Sequence, residues 1–197
     1  YNNNNNVLLI RSSKLAENYT TEFEELFDGE FGVRSPDTVP NSIVTVDGTR
    51  FETIFEAEGD VPSRIVELLE DAEHVRFMTF SFTRDDMISV LEDRARSGQM
   101  DLAGIVEASQ RRFLSDLVCP GLDVRQDGNP NILHHKVFII DREIVVTGSF
   151  NFSNNAADSN DENILIITDP DIAQAYLDEF DRRWMESERI PADQLDC

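Results

Sequence analysis

The chain has almost no lysine. Of its 17 Lys plus Arg residues only Lys14 and Lys136 are lysines, against 39 acidic residues, for a formal net charge of −22. A field of that sign repels polyanions at long range, which opposes the basic footprint of a general nucleic-acid-binding protein. An anionic partner is left two routes: screening at high salt, or a locally positive cleft around Lys136 and the arginines. A solvated acidic surface that serves solubility is the third account of the charge. Histidine is nearly as scarce, with His74, His134 and His135. The two cysteines, Cys119 and Cys197, allow one bridge at most and do not fix a redox compartment. No apolar run approaches the roughly 20 residues of a membrane-spanning helix, and no signal-peptide pattern is present. A soluble chain is expected, cytoplasmic or secreted and of bacterial type. Its 197 residues, 40% hydrophobic, suffice for a substantial core.

With lysine so rare, the surroundings of Lys136 stand out. Val137 to Ile140 and Ile144 to Val146 are apolar, β-rich runs separated by the polar Asp141-Arg142-Glu143, the pattern of a β-hairpin. On the first strand His134 and Lys136 share a face, because residues i and i+2 point the same way, and His135 points to the other. Gly148 frees the chain to turn at the end of the second strand and brings the Ser149 hydroxyl and the Asn151 amide close by. The set holds one group able to attack phosphorus and three able to hold phosphoryl oxygens.

The pattern His-x-Lys-x4-Asp-x6-Gly-Ser-x-Asn, at His134, Lys136, Asp141, Gly148, Ser149 and Asn151, resembles the HKD motif of the phospholipase D superfamily without departure. The resemblance runs on through Phe152-Ser153-Asn154-Asn155-Ala156 to Asn160-Asp161-Glu162-Asn163 and covers roughly Ser42 to Glu188. Gly-Ser-Phe-Asn-Phe-Ser and Asn-Asp-Glu-Asn look more like the nuclease and cardiolipin-hydrolase-like branch than like plant-type phospholipases. The resemblance implies a metal-independent, two-step phosphodiester exchange with no cofactor. In it His134 attacks phosphorus, and Lys136 and Asn151 bind the non-bridging oxygens. Ser149 assists from the turn, and Glu162 accepts a hydrogen bond from the other ring nitrogen of the nucleophile. Asp141 is the motif aspartate, and its hairpin position suits bracing a loop better than touching substrate. His135 is expected to be packed or hydrogen-bonded.

That mechanism needs a second histidine, and the chain has one motif; His74 has no lysine two residues on. The sequence shows where a second copy belongs. Val7-Leu8-Leu9-Ile10 aligns with Ile164-Leu165-Ile166-Ile167 at an offset of 157, and Ala16, Tyr19, Glu22 and Phe23 then fall on Ala173, Tyr176, Glu179 and Phe180. Residues 1–40 are therefore expected to be the tail of a first repeat plus a linker, and residues 41–197 a second, HKD-bearing domain. A chain opening on Tyr1 is expected to be a truncated or processed product with little activity alone. Its partner is expected to be a second HKD unit, from an upstream half or from a homodimer.

Along the chain the signals alternate. Strands are expected at Val7 to Arg11, Ile43 to Val46, Phe51 to Phe55, Val75 to Phe82, Leu102 to Val106, Leu122 to Arg125 and Ile164 to Ile167. Helices are expected at Leu15 to Phe27, with Leu15, Tyr19, Phe23 and Leu26 on its apolar face, and at Pro62 to Ala72, Asp85 to Ser97, Gln110 to Leu117 and Asp171 to Glu186. Asp28 to Asn41 reads as a linker. This alternation predicts an α/β fold, an α/β/α layered sandwich with a mixed central sheet, as the resemblance also implies. Three function classes follow: a phosphodiesterase acting on nucleic acid or phospholipid; a phosphate-binding half-enzyme that needs its partner; and a calcium-binding module using Asp158 to Glu162, which lacks the spacing and glycine of an EF-hand loop.

Overall fold

The computed structural model describes residues 2–32, 39–195 and 197, so residues 33–38 of the expected linker lie outside it. Among the described residues, β1 (Ile43–Val46), β2 (Thr49–Phe55), β3 (His74–Thr79), β4 (Asp101–Val106), β5 (Val124–Gln126), β6 (Lys136–Ile140), β7 (Ile144–Gly148) and β8 (Asn163–Thr168) form one sheet. Its order is β1-β2-β8-β7-β6-β3-β4-β5. The pairs β3–β4 and β4–β5 are parallel and all others antiparallel, so the sheet is mixed, as expected. The helices are α1 (Ser13–Asp28), α2 (Val61–Glu70), α3 (Asp85–Arg96), α4 (Ser115–Val118), α5 (Asn154–Ser159) and α6 (Pro170–Glu186).

β6 reads Lys-Val-Phe-Ile-Ile without polar alternation because both its faces are buried. One face carries Phe77, Phe138, Val146 and Ile164 under Ile65 and Leu69 of α2 and Met87 and Leu91 of α3. The other carries Val137, Ile139, Val145 and Leu165 under Leu15 of α1 and Ala173, Tyr176 and Phe180 of α6. Three layers result. A phenylalanine cluster closes the first face where the site lies, with Phe138 and Phe152 at 4.5 Å between centroids and Phe77 edge-on to Phe82 at 5.2 Å. Each buried ring contributes about 1.5–3 kcal/mol of apolar transfer. The Cys119–Cys197 disulfide ties the C-terminus to the end of α4, with the Cα atoms 5.5 Å apart.

Three expectations are corrected. Val7 to Arg11 is extended but joins no ladder; it lies across the α1/α6 face, with Val7 and Leu9 outward, 91% and 88% exposed. Asn4 alone pairs, its N–H donating to the Ile132 carbonyl and its carbonyl accepting from the His134 N–H, each at 2.9 Å. Helix α1 buries Leu15 and Asn18, while Tyr19 and Phe23 are exposed, because only its N-terminal half meets the sheet. Gln110 to Leu117 is a 3₁₀ turn, Ala108–Phe113, followed by the single turn α4.

Candidate active site

The carboxyl ends of β3, β4 and β7 and the amino ends of β6 and β8 meet at one end of the sheet. Such strand ends are where α/β proteins place their ligands. His134 stands there, two residues before Lys136 opens β6, with an exposed side chain and its ring edge-on to Phe80 at 5.5 Å. Burial and the charge of Lys136 lower the imidazole's pKa, with Glu107 opposing, which favours the neutral ring. Lys136 is 7% exposed; its Nζ donates to the His134 carbonyl at 3.2 Å and lies 5.5 Å from the Phe80 centroid. Burial pushes this ammonium down to about 8, with the charge of Glu162 acting the other way.

Gly148 is required by close approach. A Cβ there would fall 2.1 Å from the Asn163 carbonyl oxygen. The turn that follows puts the Ser149 Oγ where it accepts from the Asn163 N–H at 3.0 Å and the Asn163 Nδ2 at 3.2 Å. With its acceptor capacity used, the hydroxyl proton is free to be donated. The Asn151 Oδ1 is buried and accepts no hydrogen bond from the described residues.

Glu162 does not bond His134. Its Oε1 accepts from Asn160 Nδ2 at 2.9 Å, and its charge is felt at Lys136. Asp141 lies at the far end of β6, about 16 Å along the strand from Lys136. Its Oδ1 accepts from the Glu73 and His74 N–H groups at 2.9 and 2.8 Å, bracing the hairpin against β3. His135 is 1% exposed on the opposite face, its Nδ1 3.0 Å from Asn6 Oδ1 and its Nε2 3.7 Å from Glu179, and burial lowers its pKa. His74 sits with Asp101 and Arg142 at the end of the sheet away from the motif. Sequence reasoning singled out neither Phe80 nor Glu107 as a site residue. Phe80 and Glu107 each follow directly on the carboxyl end of an inner strand, which was the available signal.

The family model described as cardiolipin synthase, PLD-like domain, matches residues 65–184, more than half of the chain. The chain belongs to the phospholipase D superfamily. Among its relatives, the phospholipase D of Rickettsia prowazekii (strain Madrid E) is 30% identical over 153 residues, 76% of this chain and 75% of that protein. The human mitochondrial cardiolipin hydrolase is 41% identical over 64 residues, 32% of this chain, so the match spans only 25% of that protein's length. The solved phospholipase D family member Nuc from Salmonella typhimurium superposes with a TM-score of 0.66 at 26% identity, covering 71% of this chain and 97% of that one. The superfamily is one of phosphodiesterases, and the α/β fold agrees with that of Nuc.

Proposed function

We propose that the chain carries the reacting half of a metal-independent phosphodiesterase that works through a phosphohistidine on nucleic acid or phospholipid. One observation carries this reading: an exposed imidazole at His134 beside a buried lysine at Lys136, on the strand ends that also hold Ser149 and Asn151. A ring nitrogen of His134 bonds to phosphorus as the bond to the leaving oxygen breaks; water then cleaves the N–P bond. Lys136, the Ser149 hydroxyl and the Asn151 amide meet the charge on the non-bridging oxygens, and Glu162 balances the ammonium.

Protonating the leaving oxygen and activating water fall to a second histidine. The single motif and the 157-residue offset support a second HKD unit as its source, with residues 1–40 as the end of one repeat and 41–197 as the next. In this reading the chain alone turns over little. An upstream unit restores activity; in the homodimer reading the rate rises with the square of protein concentration.

The test is turnover of single-stranded DNA, RNA and cardiolipin in chelator, with trapping of an acid-labile, alkali-stable phospho-protein. His134→Asn is expected to abolish both label and turnover, and Lys136→Met to cost about 10²–10³ in rate, as loss of an oxyanion donor does. Turnover surviving in His134→Asn, or a need for added divalent metal, overturns the proposal.

A further inference from the structure

Glu107 directly follows the inner strand β4 at the site but belongs to no part of the HKD pattern. It is 4% exposed. Its Oε2 accepts from the Leu133 N–H at 2.7 Å and its Oε1 from the Ser109 N–H at 3.1 Å. Its own N–H donates to the Thr79 carbonyl at 3.0 Å. Glu107 thus ties the ends of β3 and β4 together through its backbone, and its carboxylate holds the residue directly before His134. Its side-chain bonds go to two peptide N–H groups, and its charge acts on the His134 ring.

We propose that Glu107 is a positioning residue for His134, fixing the backbone that presents the nucleophile and supplying the negative field that its imidazole needs as it becomes a phosphorylated cation. The inference rests on His134 as nucleophile. When the ring nitrogen takes phosphorus and the leaving oxygen departs with its electron pair, the ring gains positive charge, and a buried anion nearby stabilises that state more than the neutral one. The other candidate anion, Glu162, is occupied by Asn160 and acts on Lys136.

The charged groups that face the ring give the sign. Lys136 from β6 lowers the pKa of His134, alongside the larger effect of burial, and Glu107 from β4 raises it. Asp127, just past β5, faces Glu107; burial pushes it up to about 6, with the charge of Glu107 adding to the rise and that of Arg183 from α6 opposing it. Removing the charge of Glu107 therefore lowers the pKa of His134 and moves the acid limb of the pH–rate profile to lower pH.

The experiment is a histidine-resolved NMR titration of wild type, Glu107→Gln and Glu107→Asp, with His134→Asn to assign the signal, alongside kcat and KM for the full enzyme. In Glu107→Gln the pKa of His134 should fall by roughly half a unit or more. Its kcat should fall about tenfold with KM nearly unchanged, as loss of a supporting carboxylate does. Glu107→Asp withdraws the charge by one methylene and should give a smaller fall in the same direction, so it suffices if the glutamine variant does not fold. An unchanged pKa of His134 in a folded variant overturns the proposal and leaves Glu107 as a structural brace. Turnover retained by His134→Asn would instead sink the nucleophile assignment while leaving the titration shift in place.

Discussion

Burial sets the working range of Lys136. Its folded pKa of about 8, against an ordinary 10.5, means that the ammonium is lost within reach of ordinary assay conditions. If it binds phosphoryl oxygens, kcat/KM falls as pH rises through about 8. In Lys136→Arg that basic limb should disappear, whatever the remaining rate, because a guanidinium does not titrate there. A limb near 8 that survives in Lys136→Arg belongs to another group. The same burial has a cost for the fold. With the folded pKa below the unfolded one, the unfolded chain binds the extra proton between about 8 and 10.5. The deficit is full below pH 8 and is relieved as pH rises. Lys136→Met should therefore melt higher than wild type at pH 7 while turning over far more slowly. A lower melting temperature would show that the ammonium's bond to the His134 carbonyl outweighs its desolvation.

Among the elements, the hairpin of β6 and β7 holds its motif aspartate for geometry. Asp141 and Arg142 both have positive φ, 51° and 58°, where aspartate is tolerated better than most side chains. Asp141 also accepts two backbone N–H groups from the start of β3. Asp141→Ala should cost about 2 kcal/mol in urea unfolding, whereas Asp141→Asn, which keeps an acceptor, should stay near wild type. A loss of kcat in Asp141→Ala that exceeds the loss of folded protein would assign it a part in the chemistry. This hairpin was legible because two apolar runs around a polar turn have few other solutions, and the HKD spacing fixed the side of the strand on which His134 and Lys136 lie. Val7 to Ile10 looked equally strand-like, but a ladder needs a partner, and apolarity alone does not supply one. Helix α5 was missed because Asn-Asn-Ala-Ala-Asp-Ser reads as loop until Ser153 is seen to cap it, its side chain accepting from the Ala156 N–H. The place of Glu107 after an inner strand was legible, but what its carboxylate holds was not. Its partner Leu133 is 26 residues away, and that contact exists only once the sheet order is known.

For the whole molecule, a net charge of −22 would confront the proposed phosphodiester substrate with a repulsive field. Unlike most polyanion-binding proteins, which weaken as salt rises, this one should show kcat/KM on single-stranded DNA increasing between about 0.05 and 0.5 M NaCl as the Debye length shrinks. A monotonic fall would mean that a local positive cleft outweighs the global charge. The sheet order bears on timing as well. β6 is flanked by β7, reached through a three-residue turn, and by β3, where Lys136 pairs with Thr79 from 57 positions upstream. The first contact is fast and local; the second must close a long loop. During synthesis, β3 and β4 emerge and pair well before their other neighbour exists, and β3 waits with one edge open until the motif strand leaves the ribosome. The strand that carries the motif lysine is therefore the one that joins the parallel strands to the antiparallel ones, and chains caught before it docks should expose β3 to chaperones and to one another.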